Sequence, residues 1–167
     1  CMLFFTNVIA QPSVMLRKSL LDKYNLRYTR IFLEDYDLWV KCSLFFKLYN
    51  YPDTLLNYRV TLKGYSYKNT VPTNKAVDEM FKEYLKKLNI ETDDQTIMMH
   101  KNIGNEIPFS DHSEILFAKK HLEQLIKQNE KIKIFPKNTF KKVVIGLYTN
   151  LIAKSNTRTW YKLTTYW

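Results

Sequence analysis

The sequence predicts a mixed, helix-rich α/β chain in two parts, residues 1–70 and residues 71–167. Three observations predict it. Short apolar runs broken by turn residues read as strands in the first part. Beyond residue 70 the apolar residues recur at spacings of three and four, the pattern of amphipathic helices. Only 3 Gly and 5 Pro are present, which leaves few positions for tight hairpins and favours helices.

Each element follows in order. Val8-Ile9-Ala10 precedes Gln11-Pro12-Ser13, and Pro12 disfavours a helix at Gln11. Met15 to Tyr24 holds good helix formers and predicts a short helix. Tyr28 to Leu33 reads as a loop or edge strand. A helix is predicted from Asp35 to Phe46, because Leu38, Trp39, Cys42, Phe45 and Phe46 form one stripe. Leu48 to Tyr51 reads as a short strand, Pro52-Asp53-Thr54 as a turn, and Leu55-Leu56-Asn57-Tyr58-Arg59-Val60 as a second strand. Lys63-Gly64-Tyr65-Ser66-Tyr67-Lys68 is a basic, aromatic loop.

In the second part, Asn74 to Leu88 places Val77, Met80, Phe81, Tyr84, Leu85 and Leu88 on one helical face. Thr92 with Gln95 resembles a capping box for a helix through His100, and Asp111 with Glu114 one for a helix to about Gln128. Ile132 to Phe135 is a short apolar link, and Pro136 suits the start of a last helix through Ile152. Thr157 to Trp167 is polar and aromatic, without a clear period. The chain opens at Cys1 inside an apolar run, and the first part has few strands for a sheet. Both features read as a piece of a longer protein whose missing part lies upstream.

Composition narrows the function classes. Hydrophobic residues at 46% and charged residues at 25% are globular proportions. The net charge of +10 and the pI near 9.5 suit anionic partners, whether nucleic acid, phospholipid surfaces or nucleotide diphosphates. A solvated, lysine-rich surface explains the same charge. The two cysteines, Cys1 and Cys42, make no disulfide framework and point to a reducing compartment. His100, His112 and His121 lack zinc spacing, so no metal site is read from the residues. No apolar run is long enough for a transmembrane helix.

The densest chemistry lies in Glu34-Asp35-Tyr36-Asp37-Leu38-Trp39, with three carboxylates in four positions. Carboxylates in a first helical turn face unpaired N–H groups and the positive dipole end, which keep them ionised. An ionised carboxylate on a rigid element is what a general base requires. The plain alternative is an acidic turn that only stabilises its helix.

Three segments in order carry a resemblance. Gln11-Pro12-Ser13-Val14-Met15-Leu16-Arg17-Lys18, then Glu34-Asp35-Tyr36-Asp37-Leu38-Trp39, then Leu55-Leu56-Asn57-Tyr58-Arg59-Val60 resemble glycosyltransferase family 2. The match looks like the C-terminal half of a GT-A catalytic domain, residues 1–70, followed by a helical C-terminal subdomain, residues 71–167. The resemblance implies an inverting enzyme that moves a sugar from a nucleotide-sugar donor to an acceptor hydroxyl. It implies Asp35 as the general base, with Glu34 beside it and Asp37 bracing the helix. Arg59 and Lys63 become candidates for the departing diphosphate, Arg59 reading equally as an ion-pair partner of Asp35 or Asp37. Where similar sequences carry a His after the Tyr-Arg-Val strand, this chain has Thr61, and Lys63, Ser66 or Lys68 are left to substitute. Arg17 reads either as closing the substrate site or as a surface charge. Tyr36 and Trp39 are able to stack on sugar faces, Trp39 fitting the core better. His100 reads as a packing or capping residue.

The family holds its nucleotide and a divalent metal, Mg or Mn, through an upstream Asp-x-Asp. Residues 1–33 contain none, and Asp93-Asp94 lies in the helical tail. The resemblance thus implies an acceptor-side fragment, inactive alone, from a bacterial enzyme of polysaccharide or glycolipid biosynthesis. Such an enzyme works in the cytoplasm, at the inner membrane face, on a saccharide or lipid-linked acceptor, with no nucleic acid involved. The competing reading is a non-catalytic basic helical module that binds nucleic acid or an anionic surface.

Overall fold

The computed structural model describes residues 1–59 and 70–155. Among these the chain is all-helical. Two short 3-10 turns, Met2–Phe4 and Gln11–Ser13, accompany six helices: α1 (Lys18–Lys23), α2 (Glu34–Phe45), α3 (Thr70–Lys87), α4 (Asp94–Gly104), α5 (His112–Ile132) and α6 (Lys137–Lys154). No strand occurs among the described residues, which overturns the α/β expectation and with it the partial GT-A domain. The segments expected as strands lie outside regular structure. Tyr28 to Leu33 bends, and Phe32 sits in the left-handed region at φ 75°. Leu48 to Tyr51 and Leu55 to Arg59 carry no ladder, and residues 49–59 are all exposed. The physical reason is that a strand needs a partner for its N–H and C=O groups. These segments have no such partner among the described residues. Val60 and the loop with Thr61, Lys63, Ser66 and Lys68 lie outside them, as does Thr157 to Trp167.

The chain divides into two compact units, one of residues 7–81 and one of residues 1–6 with residues from 82 onward. In the first, Pro12 sits at the opening of the 3-10 turn Gln11–Ser13, where its missing N–H costs nothing. Helix α1 is short and has no side-chain cap. Helix α2 buries Tyr36, Asp37, Leu38, Trp39, Val40 and Cys42. Tyr36 sets its ring edge against Phe81, with centroids 6.3 Å apart. Burial pushes the Cys42 thiol and the Tyr36 phenol up from their ordinary pKa values.

In the second unit α5 and α6 pack along each other and α4 packs on both. Of the predicted α3 face, Tyr84, Leu85 and Leu88 in this unit are buried; Met80 and Phe81, which belong to the first unit, are buried there, and Val77 is half-buried. Asp93 caps α4 by accepting from the Thr96 N–H at 2.7 Å, one residue later than the expected Thr92 cap. Asp111 caps α5 through the Glu114 N–H at 3.0 Å, while Glu114 accepts from Ser110 N–H at 2.8 Å. Such paired bonds satisfy donors that the helix start leaves open. Between α5 and α6 the Asn129 amide closes the turn, accepting from Phe135 N–H at 2.8 Å and donating to its carbonyl at 3.0 Å.

Residues 1–6 complete this unit. Leu3, Phe4 and Phe5 are buried, and Phe4 meets Phe135 and Phe140 edge-on. Burying an aromatic ring of this size contributes roughly 2–3 kcal/mol. Gly104 permits the approach: a Cβ there would lie 1.9 Å from the Phe5 carbonyl oxygen. Two buried histidines sit below. His100 Nε2 lies 2.8 Å from the Phe4 carbonyl, and its Nδ1 lies 3.1 Å from His121 Nε2. A carbonyl only accepts, so His100 donates from Nε2, and its Nδ1 accepts the His121 Nε2–H.

Candidate functional site

The acidic turn opens α2 at Glu34, and its three carboxylates meet different fates. Asp37 is fully buried and held by cations on both oxygens. The Arg30 Nε donates to Oδ1 at 2.9 Å, and the Lys41 ammonium sits 2.5 Å from Oδ2. The Thr29 hydroxyl also donates to Oδ2 at 3.1 Å and accepts from Lys41 at 2.6 Å. Lys41 reaches Asp37 because it lies one helical turn further on, at i+4. Arg30 and Thr29 arrive from the bend before the helix. With its charge spent on these partners, Asp37 is a brace.

Glu34 and Asp35 are half-buried, and neither makes an ion pair among the described residues. Asp35 Oδ1 accepts from the Tyr36 N–H at 2.7 Å, which fixes the carboxylate at the helix start. Its second oxygen makes no hydrogen bond among the described residues. An anchored oxygen beside an unengaged one is a geometry in which a carboxylate can take a proton from a bound hydroxyl.

The remaining sequence-derived residues scatter. Tyr36 is buried at 4% exposure with its ring against Phe81, so its face is turned into the core. Trp39 is core as well, at 1% exposure, and its indole Nε1 has no hydrogen-bond partner among the described residues. Arg17 flanks α1 at its N-cap, exposed and without an ion pair among the described residues. Arg59 is exposed in the extended segment and is not the partner of Asp37. Lys63 lies outside the described residues. The structure thus brings Glu34, Asp35 and Tyr36 together on one turn.

Sequence reasoning missed Arg30, Thr29 and Lys41. Lys41 had a signal, its i+4 spacing from Asp37. Arg30 and Thr29 had none, because a left-handed bend at Phe32 sets their position.

No family model, curated protein or solved structure matches this chain. The divalent metal that the resemblance implies has its expected ligands upstream of the described residues. No three His, Cys, Asp or Glu side chains among them come together to hold an ion, and Asp37 already faces two cations. Among the described residues no helix is long and apolar enough to cross a membrane.

Proposed function

We propose that this chain carries the acceptor-activating carboxylate of an enzyme that transfers a sugar from a nucleotide-sugar donor to an acceptor hydroxyl, inverting the anomeric centre. The reading rests on the three motifs in order and on the acidic turn; an α/β fold is no part of it. The observation that carries it is the contrast within that turn. Asp37 is buried and neutralised, while Asp35 is half-buried, anchored at one oxygen and without a cation among the described residues.

In this reaction the acceptor O–H proton passes to Asp35 as the oxygen attacks the anomeric carbon. The new carbon–oxygen bond forms as the bond to the nucleoside diphosphate breaks on the opposite face, and the diphosphate leaves with the electron pair. A sugar hydroxyl is a poor nucleophile, so a base within hydrogen-bond reach lowers the barrier, typically by about 10²–10⁴ in rate. Nucleotide-sugar donors place the enzyme in the cytoplasm, and its products are surface polysaccharide or glycolipid.

The test uses the full-length protein with a panel of nucleotide sugars, reading nucleoside diphosphate release and labelled product. Asp35→Asn is expected to lower turnover by about 10²-fold or more while leaving the thermal midpoint nearly unchanged. Activity near the wild-type level in that variant would remove the assignment. The 167-residue chain alone is expected to show no turnover.

A further inference from the structure

We infer that the corner joining α5 to α6 is a docking surface for a layer of anionic phospholipid headgroups, an inference that does not depend on the transferase reading. Lys127, Lys131, Lys133, Lys137, Lys141 and Lys142 fall within 16 residues, and all six are exposed. Glu130 is the one carboxylate among them, and Lys137 already occupies it at 3.1 Å. Six lysines against one glutamate leave a net +5, half of the chain's +10 in about a tenth of its length.

The corner is held by its own hydrogen bonds and ring contacts. Lys133 turns the chain in the left-handed region at φ 61°, and Asn129 clamps the link from both sides of Phe135. Behind it the Phe135 and Phe140 rings stack with centroids 4.9 Å apart. The lysine stems thus project from fixed backbone, Lys127 and Lys131 one turn apart on α5, Lys137 and Lys141 one turn apart on α6. First-turn carboxylates are absent from α6, so its N-terminal dipole adds to the field.

Two features select a lipid surface over nucleic acid. The basic residues of the corner are all lysines, with no arginine between residues 127 and 142. Lysine is a compact point charge without the planar fork that grips single phosphates or base edges, and a fluid plane of headgroups asks for no fork. Ile132, 36% exposed, stands between Lys131 and Lys133, and offers an apolar side chain to the headgroup boundary. Each near-surface lysine raises partition to an anionic bilayer roughly fivefold.

The test is co-sedimentation of the chain with phosphatidylcholine vesicles, with and without phosphatidylglycerol, at physiological salt. Binding is expected only with phosphatidylglycerol. A K127Q/K131Q/K141Q/K142Q variant keeps the Glu130–Lys137 pair and the Lys133 turn, and is expected to lose about a hundredfold or more in partition. A K18Q/K47Q/K75Q/K86Q variant of equal net charge is expected to lose far less. Equal losses in the two variants, or no binding to phosphatidylglycerol, would overturn the inference. So would tighter binding to duplex DNA through the same four lysines. Acetylation of the wild-type chain supplies a readout that needs no variant. Anionic vesicles are expected to protect Lys127, Lys131, Lys141 and Lys142 and to leave Lys86 reactive; uniform reactivity overturns the corner as the site.

Discussion

At the scale of single residues, the acidic turn of α2 separates a structural carboxylate from an available one by two positions. Asp37 faces Arg30 and Lys41 from a fully buried position, whereas Asp35 keeps an oxygen free of hydrogen bonds among the described residues. Removing one partner of a buried ion pair leaves the other uncompensated. Arg30 and Lys41 retain some water contact, so Asp37→Asn is expected to cost about 2 kcal/mol rather than the full penalty. Asp35→Asn is expected to cost under about 1 kcal/mol, the worth of a first-turn charge. Urea unfolding of the two variants side by side checks the contrast, and equal losses would sink it. Gly104 offers a second residue-scale prediction. Gly104→Ala drives a methyl group into the Phe5 carbonyl, and backbone there has no flexible end to yield. A loss of about 1–3 kcal/mol is expected, in line with overpacking of a filled core.

At the scale of elements, legibility followed locality. Helices α4, α5 and α6 were readable because their signals are internal: apolar residues at helical spacing, Asp111 with Glu114, and Pro136 before Lys137. Adjacent cap candidates blurred one boundary, where Asp93 rather than Thr92 accepts from the helix. The expected strands failed for the converse reason. Leu55 to Arg59 has residue types that suit a pleated surface, but pleating is stable only beside a partner, and nothing local reports whether one exists. The acidic turn was legible as a contiguous motif. The bend that delivers Arg30 to Asp37 was not, because a left-handed Phe is set by packing rather than by its own preference. The Asp111 cap is open to direct measurement. Asp111→Ala is expected to lower stability by about 1 kcal/mol, and an unchanged urea midpoint would show that Glu114 and Ser110 suffice without it.

At the scale of the whole molecule, the buried His100–His121 pair ties stability to pH. Burial pushes both imidazoles down from 6.5, His100 to about 4 and His121 to about 3. The bond to the Phe4 carbonyl opposes the shift at His100, and the neighbouring His100 adds to the one at His121. Well above pH 6.5 neither the folded nor the unfolded chain protonates these rings, so the pair adds no pH dependence there. Below that value the unfolded chain takes up protons that the folded chain refuses, and stability falls until the folded values are reached. Asp93, Glu106 and Asp111 have lowered values and withdraw their own contribution only under more acid conditions. The interval from pH 6.5 to about 5 therefore isolates the histidines. The thermal midpoint is expected to decline across it in the native chain, and replacing both histidines with glutamine is expected to flatten the slope. A slope that persists without them would assign it elsewhere.

The insertion of residues 1–6 among later helices has a consequence for synthesis. The Phe4 carbonyl meets a histidine 96 positions away, and the Phe5 ring meets Phe140. On a ribosome adding about 5–20 residues per second, Phe5 precedes Phe140 by roughly 7–27 seconds. Leu3, Phe4 and Phe5 stay without their native cover through that interval, a greasy tag open to chaperones while α2 and α3 emerge. Residues translated before every helix of this unit are thus among the last to be sealed, and the second unit closes only when these two distant segments meet.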